Sequence, residues 1–177
     1  MLATIERISN IIKGLRVFAR DGESDPLVSY PAKKIIDETA ALAADKIRST
    51  GICLKRINEA ENMMLSCRPT EVGQILLNLI SNACDAVNDS PAKEVELVVR
   101  KTDDGFCEFS VIDTGQGVAP ENIKKIMEPF FTTKPTGQGT GLGLSISRGI
   151  AQGHGGDLIY RRANGRTQFS FTIPSIN

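Results

Sequence analysis

The stretch QILLNLISNACDAV, residues 74–87, carries two patterns at once. Val72, Ile75, Leu76, Leu79, Ile80, Ala83 and Ala86 recur three and four apart, which predicts a helix laid against a core. Gln74, Asn78, Asn82 and Asp85 form a polar stripe beside it, one turn apart. Amides are poor helix formers. Two Asn four residues apart, both bordering a buried face, therefore call for a reason beyond solubility. Pro69 suits a first helical turn and marks the expected start.

Working outward, residues 31–50 read as a second helix. Ile35, Ile36, Ala40, Leu42, Ala43 and Ile47 form its expected buried face, and Gly51 is its stop. ICLKRI (52–57) and NMMLSC (62–67) are strand candidates. EVELVVRK (94–101) and FCEFSVID (106–113) flank TDDG, a hairpin signal. The stretch 113–140 is rich in Gly, Pro and Thr, with one short helix expected at 121–127. Loops this long in a compact domain are usually functional. A helix over 141–152 opens on a glycine run, and GGDLIYRR, the turn ANG and TQFSFTIP close the order as a hairpin. Upstream, Ile5, Ile8, Ile12 and Leu15 space a helix over 2–19 as on a bundle seam, followed by the turn-rich linker RDGESDP (20–26). The expected fold is α+β, a two-layer arrangement of a mixed, mostly antiparallel sheet backed by helices.

Composition narrows the function classes. The 177 residues carry 21 Lys+Arg and 21 Asp+Glu, so no basic field points to nucleic acid or a membrane surface. No apolar run approaches the roughly 20 residues that span a bilayer. Four scattered Cys without a CxxC pair fit a reducing compartment better than a disulfide framework. The single histidine is His154.

Four constellations carry chemistry. DTGQG (113–117) follows a strand and sets a carboxylate beside backbone that can be closely approached, an acceptor for an exocyclic amine. Alone it reads more readily as a plain turn. GQGTGLGLS (137–145) places Gly139, Gly141 and Gly143 where a loop becomes a helix, and helix N-termini bind phosphate. It matches neither a Walker loop nor a dinucleotide fingerprint, and alone it is equally a flexible loop. EPFFTTKP (128–135) adds two Phe, the hydroxyls of Thr132 and Thr133, and the point charge of Lys134. In the asparagine helix, the Asn82 amide oxygen is a hard ligand suited to Mg²⁺. The alternative is that both Asn cap neighbouring backbone. Together the four would account for adenine, metal, triphosphate and lid within a single site.

The set, in order, resembles the catalytic ATP-binding domain of bacterial sensor histidine kinases. The match comprises N-x-x-x-N (Asn78, Asn82), D-x-G-x-G (Asp113, Gly115, Gly117), EPFFTTK, G-x-G-L-G-L (Gly139 to Leu144), HGGDL and a terminal TQFSFTIP. That family belongs to a superfamily with gyrase, a heat-shock chaperone and MutL. The EPFFTTKP wording is most similar to the nitrogen-regulation and oxygen-sensing type. The resemblance covers roughly residues 30–174 and implies a Bergerat-type ATP-binding fold with Mg²⁺ and ATP bound between helices under a mobile lid. It implies that Asp113 holds the adenine amine, that Gly115 and Gly117 shape the pocket, and that Thr167 supports it. It further implies Asn82 as the metal ligand and Asn78 lining the metal–phosphate site, with Asp85 beside them in the nucleotide-binding set. Lys134 and the backbone of Gly141, Leu142, Gly143 and Leu144 would contact phosphates, with Thr132, Thr133, Gly139 and Thr140 in the same loop. Asn78 and Lys134 are the candidates nearest the chemistry. Phe130 and Phe131 would anchor the lid or dock it on partner helices. Arg166 departs from the pattern, standing where many relatives have Gly before the threonine.

The resemblance extends to the N-terminal helix, IERISNIIKGLRVFAR, similar to the second helix of a dimerisation and phosphoacceptor hairpin. This implies three segments: 1–22 from that hairpin, 23–29 as linker, and 30–177 as the catalytic domain. The phosphoacceptor histidine is expected elsewhere, since His154 reads as a capping or packing residue in a helix-to-strand turn. The implied activity is phosphoryl transfer from Mg·ATP to a histidine, then to an aspartate on a response regulator. The implied setting is the cytoplasm, with a homodimer in the full-length protein and no nucleic-acid or membrane contact by this chain. Two alternatives are an ATP-driven conformational switch and a Ser/Thr kinase of the same superfamily. The switch-type relatives place a Glu base where this chain has Asn78, and an amide cannot take a proton from water at neutral pH. A third is a docking module with an inactive pocket, against which the intact motif set argues.

Overall fold

The computed structural model describes residues 26–60, 62–135 and 139–176. The helix expected over 2–19, and the linker as far as residue 25, lie outside the described residues.

Among the described residues, seven strands and three α-helices form the domain. The order is β1 (Val28–Pro31), α1 (Ala32–Thr50), β2 (Cys53–Asn58), β3 (Met64–Cys67), α2 (Pro69–Ala86), β4 (Glu94–Lys101), β5 (Phe106–Asp113), a 3₁₀ turn at Pro120–Asn122, α3 (Gly143–Gly153), β6 (Leu158–Ala163) and β7 (Arg166–Ile176). The sheet runs β1-β3-β7-β5-β4-β2, with β6 also paired to β7. Only β2 and β4 are parallel; the remaining pairs are antiparallel. The expected α+β class, with a mixed sheet backed by helices, is what forms.

Strand alternation decides which residues face the helices. Val95, Leu97 and Val99 of β4, Cys107, Phe109 and Val111 of β5, and Phe169, Phe171 and Ile173 of β7 are buried. Phe109 and Phe171 stack with ring centroids 5.0 Å apart. Against this face α2 buries Val72, Ile75, Leu76, Leu79, Ile80, Ala83 and Cys84. α1 packs on α2, and α3 packs on α2, β6 and β7.

Local chemistry fixes the helix ends. Pro69 occupies the first turn of α2. Gly51 closes α1 in the left-handed region at φ 67°, its N–H bonded to the carbonyls of Arg48 and Ile47, a position where L-residues other than glycine are strained.

Five details correct the sequence reading. Leu42 is 72% exposed, because the buried stripe of α1 runs through Ile35, Ile36, Thr39, Ala43 and Ile47, and Leu42 lies off it. Ala40 is only half-buried for the same reason, and Ala86 is exposed where α2 ends. The helix expected over 121–127 is the 3₁₀ turn followed by hydrogen-bonded turns. β1 forms where no strand was expected, as an edge strand antiparallel to β3.

Candidate active site

One end of the site is set by strand register. β5 pairs with β7 so that Asp113 lies opposite Thr167, and β7 pairs with β6 so that Thr167 lies opposite Arg162. The three residues therefore stand in one row on the helix-facing side of the sheet. Asp113 is 2% exposed and its Oδ1 accepts the Gly115 N–H at 2.8 Å. Burial pushes its carboxyl above the ordinary carboxylate range. The Gly115 N–H, the Thr167 hydroxyl and the charges of Arg162 and Arg166 oppose that shift without cancelling it.

The glycines after Asp113 are forced by crowding. A Cβ at Gly115 would lie 2.8 Å from both the Ala86 carbonyl oxygen and Asp113 Oδ1. Gly117 has φ 81°, and a Cβ there would overlap the Arg162 guanidinium. The Val118 N–H donates to the Tyr160 hydroxyl at 3.1 Å and ties the loop to β6.

The polar stripe of α2 lies alongside. Asn78 Nδ2 donates to Ser147 Oγ of α3 at 2.9 Å, and its amide fills the space that a side chain at Gly143 would need. Asn78 thus joins α2 to the start of α3. One turn on, Asn82 Oδ1 accepts from Lys134 Nζ at 3.3 Å. Asp85 takes one ammonium on each oxygen: Lys46 on Oδ1 at 2.9 Å and Lys134 on Oδ2 at 2.6 Å. Burial raises the Asp85 pKa, but these two lysines outweigh it and hold the carboxyl below its usual range. Lys46 also donates to Ser81 Oγ at 2.7 Å, so its orientation is set by α2.

Residues 130–134 lie against 139–141. Phe131 packs on the core, while Phe130 is 66% exposed at φ 68°. Gly141, at φ 66°, lies against the Phe130 backbone with no room for a Cβ. A Cβ at Gly139 would lie 2.6 Å from Thr132 Oγ1, which accepts the Lys134 N–H at 3.1 Å. Thr133 is exposed. Thr140 Oγ1 accepts the Leu142 N–H at 3.4 Å, and the Leu142 side chain is buried. Leu144 is half-buried against the core. The N–H groups of the first turn of α3, from Gly143 onward, have no intrahelical partner by the geometry of a helix start.

His154 is 4% exposed. Its Nε2 accepts the Arg68 N–H at 3.0 Å and its Nδ1 lies 2.8 Å from the Ile150 carbonyl oxygen, so both ring nitrogens are engaged. The packing role read from the sequence is where it stands. Arg166 points to the opposite face of the sheet, paired with Glu96 at 2.9 Å, so its departure from the expected pattern falls away from the Asp113–Thr167–Arg162 row.

Sequence reasoning passed over Arg162, Ser147 and Lys46. Arg162 had a readable signal. Asn164 and Gly165 have φ 52° and 75°, the two positive values of a two-residue type I′ turn. An Asn-Gly hairpin fixes Ala163 opposite Arg166 and hence Arg162 opposite Thr167. Lys46 had none, because its partner lies 39 residues away.

The arrangement has one axis. Along α2, Asn78 meets the start of α3, Asn82 and Asp85 meet Lys134, and Ala86 meets the Gly115 loop. From Asn78 to Ala86 is about 12 Å at the rise of an α-helix.

Residues 67–177 match the family described as histidine kinase-, DNA gyrase B-, and HSP90-like ATPase. The sensor protein FixL of Bradyrhizobium diazoefficiens is 35% identical over 171 residues, 96% of this chain and 33% of that protein. The chain thus spans about a third of that relative's length. The catalytic domain of histidine kinase ThkA superposes with TM-score 0.75 at 30% identity, over 85% of this chain and 96% of that one. ThkA in complex with the response regulator protein TrrA gives 0.79 at 26% identity, over 98% of this chain and 48% of that one. Full-length ShkA in complex with AMPPNP gives 0.81 at 25% identity, over 98% of this chain and 36% of that one.

Proposed function

The chain belongs to the family of histidine kinase-, DNA gyrase B- and HSP90-like ATPases, and from that premise we propose that it is the ATP-binding catalytic unit of a two-component sensor histidine kinase. Its activity is transfer of the γ-phosphoryl group of ATP to a histidine on a dimerisation hairpin, for relay to a response regulator. The observation that carries this reading is the order of groups along α2, where phosphate-facing helix start, lid lysine and base-facing loop follow one another in the direction of an extended nucleotide.

In this reading Asp113 accepts the adenine amine, Gly115 and Gly117 leave room for the base, and Thr167 supports Asp113. The N–H groups from Gly141 to Leu144 and the Lys134 ammonium face the phosphates. Thr132, Thr133, Gly139 and Thr140 shape the loop that brings them there. Asn82 and Asp85 present hard oxygens one turn apart, and a lysine ammonium already lies against both. That donor set suits a divalent cation. Asn82 would hold Mg²⁺, which neutralises phosphate charge when bound. Phosphoryl transfer asks of the protein mainly positioning and charge neutralisation, and these residues supply both. Exposed Phe130 is the lid's contact for the phosphoacceptor hairpin. The EPFFTTKPTGQGTGLGLS run supports a nitrogen-regulation-like subtype. A cytoplasmic setting and a full-length homodimer complete the proposal.

Asn78 speaks against a dedicated ATPase, since its amide binds Ser147 and offers no carboxylate to activate water. The test is calorimetric titration of Mg·ATP and Mg·ADP, followed by addition of a histidine-bearing hairpin with γ-labelled ATP. Binding without self-labelling, then acid-labile label on the hairpin, is expected. Stable label on this chain alone, or brisk hydrolysis without the hairpin, would overturn it.

A further inference from the structure

Thr167 has a single hydroxyl proton. Its oxygen accepts from Arg162 Nη1 at 3.2 Å, and it stands opposite Asp113 in the β5–β7 register. That one proton lets the threonine donate to a single acceptor, either Asp113 or a bound base, and not to both. Arg162 has donors to spare. Nη1 reaches Thr167 Oγ1 and, at 3.4 Å, the Gly115 carbonyl oxygen. Its Nε–H and Nη2 donors have no hydrogen-bond acceptor among the described residues. The residue is exposed, stands in the same row as Asp113 and Thr167, and lies over Gly117, where only glycine leaves it room.

Adenine presents an exocyclic N–H donor beside a ring-nitrogen acceptor. A complementary wall needs an acceptor beside a donor. We propose that Arg162 is a specificity-determining residue of the nucleotide site, donating to N1 of the adenine whose amine Asp113 holds. This rests on the adenine-nucleotide reading of the site. A 6-oxopurine reverses the pattern, setting its carbonyl against the carboxylate and its N1–H against the guanidinium. The pair therefore rejects it as well as selecting adenine.

The test uses the chain as it stands, with affinities by calorimetry for ATP, inosine triphosphate and 1-deaza-ATP, which keeps the amine and replaces N1 by C–H. Arg162→Met is compared with wild type after thermal melting verifies its fold. Wild type should bind ATP about tenfold tighter than 1-deaza-ATP, the scale of one charge-assisted hydrogen bond. Arg162→Met should lose about tenfold on ATP and nothing on 1-deaza-ATP, so that the preference disappears. Equal loss on both analogues, or loss on neither, overturns the role of Arg162 and leaves the site reading intact. A wild type that does not prefer ATP to inosine triphosphate overturns the adenine reading, and the role of Arg162 with it.

Discussion

At the scale of the residue, Asp113 carries a buried carboxyl whose ionisation works against the fold. Its burial raises the folded-state pKa above that of the unfolded chain. The folded chain therefore keeps its proton to higher pH than the unfolded chain does. Stability associated with this group is present at low pH and is lost as pH rises from the ordinary carboxylate range through the raised value. Asp113→Asn removes that dependence. Relative to wild type, the variant should gain stability in urea unfolding as pH rises above the ordinary carboxylate range, while losing ATP binding. A difference that stays flat with pH would show that the carboxyl is not held up by its burial. Asp113 was legible because an Asp after a strand and two spaced glycines is a local pattern. Arg162 was as close to the site but belongs to no motif; only the register of the Asn-Gly hairpin finds it.

At the scale of the element, α2 and α3 are joined at two points. Asn78 meets Ser147 near the start of α3, and His154 meets Arg68 across the end of α3 and the start of α2. His154→Ala removes the acceptor of the part-buried Arg68 N–H, a loss of about 1–3 kcal/mol. Thermal unfolding should shift down accordingly, while label transferred to an added hairpin should not fall once the variant is folded. The lid has its own constraint at Gly141. Gly141→Ala introduces a Cβ at positive φ into the Phe130 backbone. Because the strain is confined to the loop, nucleotide affinity should fall at least several-fold with the melting temperature of the domain nearly unchanged. A large drop in melting temperature would show that the loop supports the core.

Helix and strand identities read well where apolar spacing was long, as in α1, α2 and the β4–β5 hairpin. They failed where the element has no local cause. β1 forms because β3 presents an unpaired edge, a fact of tertiary pairing rather than of its own four residues. The segment after Pro120 is too short to propagate a helix once nucleated. Leu42 has the right chemistry for a core and the wrong angle for it.

At the scale of the whole molecule, nucleotide and fold are linked. A ligand that binds only the folded chain stabilises it by about 2.7 kcal/mol at 100 times its dissociation constant. Mg·ATP should therefore raise the midpoint of urea unfolding, and chelation of the metal should reverse much of that gain. An unchanged midpoint at saturating Mg·ATP would count against binding. The fold class, a sheet with helices on one face, was readable from element order alone. The ion pairs that join α1 and the lid to α2 were not, because each spans tens of residues of sequence.

β7 is the last strand in the order of the described chain, yet it lies inside the sheet. One of its edges is filled by β5, and the other is shared between β6 along Arg166–Phe171 and β3 at Ser175–Ile176. During synthesis, β3, β5 and β6 leave the ribosome with open edges and no partner between them. The sheet can close only when β7 has cleared the exit tunnel, so completion of the domain waits on its last strand. A chain stalled or cleaved between Ala163 and Arg166 loses the strand that joins the two halves of the sheet, and it should be handled in the cell as unfolded protein rather than as a shortened domain.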